Sequence, residues 1–243
     1  MHQYYFLLLI AVIAFMYASV GHGGASGYLA LMVLFGVSPI LMKPSALILN
    51  IIVSAISFAM YYRSGHFNWK ILLPFILLSI PLSFLGARIT IDAHTYKIIL
   101  GICLLIATLR ILGVFGAASF KDTREVKFIP AMLIGGVLGF VSGMIGIGGG
   151  ILLSPVLLLL KWSDMKQTAA VSAAFIFVNS VSGIIGAASS HQSFSPEIYA
   201  WVSAAVVGGS IGAFYGSAKF NYSVLKYILS AVLIFASTKL FIG

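Results

Sequence analysis

The stretch Gly143-Met144-Ile145-Gly146-Ile147-Gly148-Gly149-Gly150 decides how this chain folds. It places five glycines in eight residues, in the middle of an apolar run from about 128 to 160. Each glycine costs a helix interior about 1 kcal/mol relative to alanine, so the run cannot be read as one uninterrupted helix. An earlier apolar run carries a counterpart, Ser19-Val20-Gly21-His22-Gly23-Gly24-Ala25-Ser26-Gly27. Gly21, Gly23 and Gly24 precede Gly146, Gly148 and Gly149 by the same 125 residues. Irregular backbone survives at membrane depth only where protein or a water-filled cavity surrounds it. Glycine interruptions at matching positions of two halves point to a ligand site at the interface between them.

The setting is a membrane. Of 243 residues, 61% are hydrophobic and 8% charged, against about 25% charged in a soluble domain, and the mean hydropathy is +1.11. The long continuous apolar runs exclude the alternating pattern of a membrane β-barrel. The fold class expected is all-α, a polytopic helical membrane protein. A net charge of +9 would suggest nucleic acid in a soluble chain; here the basic residues flank the spans and set topology, and no nucleic-acid partner is expected. The single cysteine, Cys103, lies in an apolar run and reads as a small hydrophobe. Only His2 precedes the first apolar run, which lacks the cationic start of a secretory signal and reads as retained.

Candidate spans fall at about 4–36, 44–62, 71–88, 97–115, 128–160, 168–189, 198–218 and 223–242, since a span needs about 20 apolar residues. The first and fifth are too long for one straight crossing and short for two; each fits a discontinuous helix or a re-entrant hairpin. Beyond the glycines, Ser54 matches Asn179, Ser57 matches Ser182 and His66 matches His191 at the same offset. The organisation expected is two repeats of about four spans, 1–118 and 128–243, joined by a charged linker at 119–127. Lys121, Arg124 and Lys127 favour a cytoplasmic linker. Eight crossings would then put both termini on the cytoplasmic side with parallel repeats, whereas hairpins would make the repeats inverted; the sequence leaves these two open.

The chemistry on offer is that of neutral donors. All five carboxylates, Asp92, Asp122, Glu125, Asp164 and Glu197, fall in loops or at span ends. The chain therefore lacks the mid-membrane carboxylates common in proton- and sodium-coupled carriers. No nucleophile–base pair or Cys/His metal spacing is present, so no enzyme, metal or cofactor is expected. Broken helices instead expose N-terminal N–H groups and the positive end of the helix dipole, which favour anions. Asn50, Ser54 and Ser57 share a helix face by their i, i+4, i+7 spacing, as do Ser172, Asn179 and Ser182. Amides and hydroxyls can bond an oxyanion without charging. The candidate substrate site is therefore Gly21, His22, Gly23, Gly24, Ser26, Asn50, Ser54, Ser57, Gly146, Gly148, Gly149, Gly150, Asn179 and Ser182.

Each assignment has a plainer rival. Glycines and small polar residues also serve close helix packing and interhelical hydrogen bonding. His22, whose counterpart is Ile147, is a donor, a proton carrier or a packing residue. His66 and His191 fall in loops and read as solvated; Trp69, Trp162 and Trp201 read as interfacial anchors. The Gly146-x-Gly148 pattern lacks the βαβ setting and spacing of a dinucleotide site.

The string Gly146-Ile-Gly148-Gly149-Gly150-Ile-Leu-Leu-Ser154-Pro155, with its degenerate first copy Val20-Gly21-His22-Gly23-Gly24, resembles the signature of the sulfite exporter TauE/SafE family. The resemblance covers essentially the whole chain. It implies a small two-repeat permease for sulfite, sulfonates or related sulfur-containing anions, in a bacterial inner membrane. The first copy departs from the pattern at Ala25 and Ala30, which replace a glycine and the proline, so unequal half-sites are expected. The reading is an exporter of a small sulfur-containing oxyanion, with the lipid bilayer as its setting and a homodimer as a compatible assembly. The alternatives are a metal or cation transporter using His22 and a membrane scaffold that transports nothing.

Overall fold

The computed structural model describes residues 2–89, 98, 123–188, 196–221 and positions 223, 224, 227, 228, 230, 231, 234 and 238. The expected span at 97–115, most of that at 223–242, and Cys103, His191, Asp92 and Asp122 lie outside the described residues or nearly so. Eight α-helices are described: α1 (His2–Ala18), α2 (Ala25–Leu34), α3 (Pro39–Arg63), α4 (Trp69–Ala87), α5 (Phe128–Ile145), α6 (Gly150–Leu159), α7 (Met165–Ala188) and α8 (Ile198–Phe214). A π-helical turn, Tyr215–Lys219, follows α8. Five of these segments are long and apolar enough to cross a bilayer: Leu41–Arg63, Trp69–Ala87, Phe128–Ile145, Met165–Ala187 and Ile198–Lys219. Their outward faces carry exposed Leu73, Leu77, Leu133, Val137, Ile185 and Val207, while Asn50, Ser54, Ser57, Ser172 and Ser180 are buried. Apolar outside and polar inside suits a lipid solvent.

Both glycine clusters interrupt the helices. The chain leaves helical geometry between α1 and α2 and between α5 and α6. Gly21 and Gly24 take φ of 76° and 97°, and Gly146, Gly148 and Gly149 take 84°, 73° and 74°. This left-handed region carries a Cβ penalty that glycine alone escapes.

Each interrupted segment is a hairpin. Tyr17 Oη and Ser26 Oγ share a hydrogen bond of 2.7 Å, and Gly27 packs against Ile13 and Tyr17. The rings of Phe6 and Phe35 meet edge-on with centroids 5.0 Å apart. Phe6 is near the start of α1 and Phe35 just beyond α2, so α2 retraces α1. In the second segment Gly149 lies against Ser142. The Arg124 N–H donates to the Lys161 carbonyl at 2.7 Å, joining the approach to α5 with the end of α6.

Two glycine stripes set the helix pairs. Gly135, Gly139 and Gly143 of α5 lie directly on the backbone of Phe75, Ser79 and Ser83 of α4. Gly208, Gly212 and Gly216 of α8 and its π turn lie on the backbone of Ala11 and Phe15 of α1 and of Ser19 just beyond it. Residues four apart form one ridge, and without a Cβ the two backbones close to contact, as small-residue ridges do in membranes. Numbers rise together along both pairs, so α4 runs parallel to α5 and α1 parallel to α8. α3 and α7 cross the centre antiparallel, with Leu47 beside Gly183, Asn50 bonded to Ser180 and Tyr61 clustered with Ala169 and Ala170. Ser57 and Tyr61 of α3 donate to the carbonyls of Ala18 and Ser19 at the end of α1, which aligns α3 with α1.

Helices α1, α3 and α8 therefore point one way, and α4, α5 and α7 the other. α1 starts on the face opposite residues 124–127. α2 returns to the face from which α1 departs, which is the hairpin alternative of the two arrangements that the sequence leaves open.

Candidate functional site

Asn50 stands midway along α3 and is fully buried. Its Oδ1 accepts the N–H of Ala25, the first residue of α2, at 3.0 Å. Its Nδ2 donates to the Ile147 carbonyl at 3.0 Å and to Ser180 Oγ at 3.3 Å. One carboxamide thus ties the first break, the second break and α7 together. Every further feature of the site is arranged around it.

The glycines nearest Asn50 are fixed by space. A side chain on Gly23 would run into Asn50 Oδ1. A Cβ on Gly148 would come within 2.6 Å of Asn50 Nδ2 and 2.7 Å of Ser180 Oγ. Gly149 is the N-cap of α6 and offers no side-chain cap; Gly146 ends α5. The first N–H groups of a helix have no partner within it, and the dipole adds a partial positive charge there. α2 and α6 begin at the two breaks; Asn50 meets the first at the leading N–H of α2 and the second at the Ile147 carbonyl and Gly148, just before α6 begins.

A second connection crosses the centre. His22, 1% exposed, places Nε2 at 3.2 Å from the Gly150 carbonyl and 3.0 Å from Ser154 Oγ. Ser154 Oγ is in turn 2.8 Å from Ser172 Oγ of α7. Ser154 Oγ also reaches the Gly150 carbonyl, at 3.1 Å, so imidazole, hydroxyl and carbonyl close a triangle. The other ring nitrogen, Nδ1, has no hydrogen-bond partner among the described residues.

The expected residues divide accordingly. Gly21, His22, Gly23, Gly24, Asn50, Gly146, Gly148, Gly149 and Gly150 gather at the two breaks. Ser57 Oγ donates to the Ala18 carbonyl at 3.2 Å and closes the end of α1. The others are engaged elsewhere. Ser26 bonds Tyr17; Ser54 bonds the Ile51 carbonyl of its own helix. Asn179 Nδ2 donates to the Phe175 carbonyl at 2.8 Å. Ser182 reaches the Ile80 carbonyl of α4 at 2.6 Å. Ser154 and Ser180 are additions. Their signals were present: Ser154 follows Gly150 by one helical turn, and Ser172 and Ser180 lie two turns apart on one stripe. Among the described residues no three His, Cys, Asp or Glu side chains come together.

The description of the sulfite exporter TauE/SafE family matches residues 6–240. The chain belongs to this family. A relative from Sinorhizobium fredii, described as a probable membrane transporter protein, is 39% identical over 236 residues, covering 94% of each chain. One from Bacillus subtilis with the same description is 27% identical over 241 residues, covering 90% of this chain and 92% of its own. A third, from Methanocaldococcus jannaschii, is 30% identical over 135 residues, 54% of this chain and 50% of its own. No solved structure matches. This TauE/SafE protein is thus a multi-pass integral membrane protein, and its relatives are described as transporters, not enzymes.

Proposed function

We propose that the chain moves a small sulfur-containing oxyanion, sulfite or an organosulfonate, and binds it where the two breaks meet around Asn50. The observation that carries this reading is the meeting of the two breaks, from which α2 and α6 start, on one buried carboxamide that holds the Ala25 N–H of the first and the Ile147 carbonyl of the second. Both ends are electropositive, and Asn50 Oδ1 already holds one of the amides as an anionic oxygen would. The Gly23, Gly24, Gly148, Gly149 and Gly150 backbone would surround the substrate, with Asn50, Ser154 and Ser180 as neutral donors. His22 belongs to this shell, while Ser26, Ser57 and Ser182 support it through the segments they fasten, and Ser54 and Asn179 turn their donors to carbonyls of their own helices.

The two halves, 1–118 and 128–243, read as inverted repeats joined by residues 119–127. Corresponding helices run in opposite directions: α1 against α5, α3 against α7, α4 against α8. Inverted repeats with discontinuous segments at the midplane suit alternating access. The clasp made by Asn50 would have to open for the anion to pass.

Arg63, Lys70, Arg124, Lys127, Lys161, Lys166 and Lys219 lie at the linker face, against Lys43 and Arg88 at the other. The positive-inside rule then makes the linker face cytoplasmic and the start of α1 extracytoplasmic, in a plasma or inner membrane. An inside-negative potential favours anion exit by about 2.3 kcal/mol per charge per 100 mV, which suits export. Orientation is checked with single cysteines placed before α1 and at position 123 and labelled by an impermeant maleimide in intact cells. The first is expected to react and the second only after lysis; labelling of the second alone before lysis would reverse the assignment, and labelling of both or of neither would undo it.

The transport reading is tested by thermal unfolding with sulfite, sulfate, thiosulfate, sulfoacetate and taurine, followed by flux in proteoliposomes. A ligand present at 100 times its Kd stabilises a protein by about 2.7 kcal/mol, so a transported oxyanion is expected to raise Tm clearly above the rest. Stabilisation and flux with divalent metal ions alone would support the cation reading instead, and no flux of any solute would support the scaffold.

A further inference from the structure

Two lysines sit at corresponding places on opposite faces. Lys43 lies early in α3 and Lys166 in the first turn of α7. Lys43 Nζ donates to the carbonyl of Ala87, the last residue of α4, at 3.1 Å. Lys166 Nζ donates to the carbonyl of Ser217, in the π turn that ends α8, also at 3.1 Å. Each therefore reaches from the third helix of one half to the end of the fourth.

Each also stands at one break. The stem of Lys43 crosses Gly146: a Cβ there would lie 2.8 Å from Lys43 Cγ. Lys166 is one turn before Ala169, whose backbone abuts Gly21. Its acceptor Ser217 follows Gly216, which lies on the carbonyl of Ser19, where the first break begins. Both lysines are partly buried, and the acceptor of each ammonium is a neutral carbonyl. The carboxylate nearest Lys166 in sequence, Asp164, accepts the N–H of Gln167 at 2.9 Å and caps α7. An ionised acceptor makes a hydrogen bond about twice as strong as a neutral one. An arriving oxyanion thus gives either ammonium a better partner than the carbonyl it now holds.

We propose that Lys43 and Lys166 are the anion-receiving cations at the two mouths of the pathway, each passing substrate between its own face and the amides of the breaks. The inference rests on the anion-transport reading above and names how that site is reached. A merely structural role is the alternative, since a lysine at a helix C-terminus also complements the dipole.

The variants that separate the two are Lys43→Gln and Lys166→Gln. Glutamine keeps an N–H donor for the carbonyl and removes the charge; Lys→Arg keeps the charge. They are compared in proteoliposomes of one orientation, with sulfite presented from either face. Lys43→Gln is expected to raise the half-saturating sulfite concentration at the α1-start face about tenfold, the weight of one charged hydrogen bond, and to leave that at the linker face unchanged. Lys166→Gln is expected to do the reverse. Arginine should restore each, and raised ionic strength should shrink the differences. Unchanged half-saturation in both glutamine variants, with wild-type flux intact, overturns this proposal alone, as does a loss of equal size at both faces. A wild-type protein that moves no sulfur oxyanion overturns the transport reading and this proposal together.

Discussion

Asn50→Asp is expected to abolish oxyanion flux in proteoliposomes. Aspartate has the shape of asparagine, so one oxygen can still accept the Ala25 N–H. The other replaces Nδ2 and cannot donate to the Ile147 carbonyl. A buried carbonyl stripped of its donor costs about 1–3 kcal/mol. The larger effect is charge: a carboxylate where the two breaks meet is itself the anion that the α2 N-terminus favours, and it would repel another. Loss of sulfite flux by at least about a hundredfold follows from roughly 3 kcal/mol of lost binding. Asn50→Ala, which removes the clasp without adding charge, should lose less. The pair also separates the two transport readings. Were the site made for cations, the aspartate variant would keep or gain flux, and such a result would sink the oxyanion site at Asn50.

Gly148→Leu is expected to remove transport while protein still inserts. Two costs coincide at this position. The backbone sits at φ 73°, where a residue other than glycine is strained by about 1–2 kcal/mol. The added Cβ would also press on Asn50 Nδ2, Ser180 Oγ and Ile176 Cγ2 at 2.6, 2.7 and 2.8 Å, and the rest of the leucine would force these neighbours apart. Overpacking a buried site costs about 1–3 kcal/mol more, so Tm should fall as well. The check is flux per detergent-stable protein, with Gly36→Leu as comparison. Gly36 also has positive φ, 69°, but a Cβ there meets nothing within 4 Å. Wild-type flux from folded Gly148→Leu would remove the second break from the site.

The breaks were legible in the sequence because only glycine occupies left-handed backbone cheaply, and five positions with positive φ fall inside the two clusters. Asn50 was legible because a carboxamide in the middle of an apolar run needs partners. Direction was not. Whether an over-long segment crosses or returns is decided by contacts such as Phe6 with Phe35, far apart in sequence, and one wrong decision inverts the face of all that follows. Gly143 was also ambiguous. It adjoins the second cluster, yet its register with Gly135 and Gly139 makes it the end of a packing ridge on α4. Asn179 and Ser182 share a face with Ser172, but that face is wide enough for Ser182 to reach α4 while Ser172 meets Ser154. A helical stripe gives the side a residue occupies and leaves open which neighbour it meets.

The two glycine ridges have a consequence for biogenesis. Both are carried by later helices, α5 and α8, and both dock on earlier ones, α4 and α1. As the ribosome feeds the chain into the bilayer, α4 meets its ridge soon after the linker emerges. The first helix waits until nearly everything else has been inserted, because Gly208, Gly212 and Gly216 are made so late. The nascent first half thus holds a stretch of α1 backbone that, among the described helices, the glycine ridge of α8 covers. Maturation should be all-or-none, with degradation the fate of chains truncated before α8, and two separately expressed halves should find each other through the same ridge.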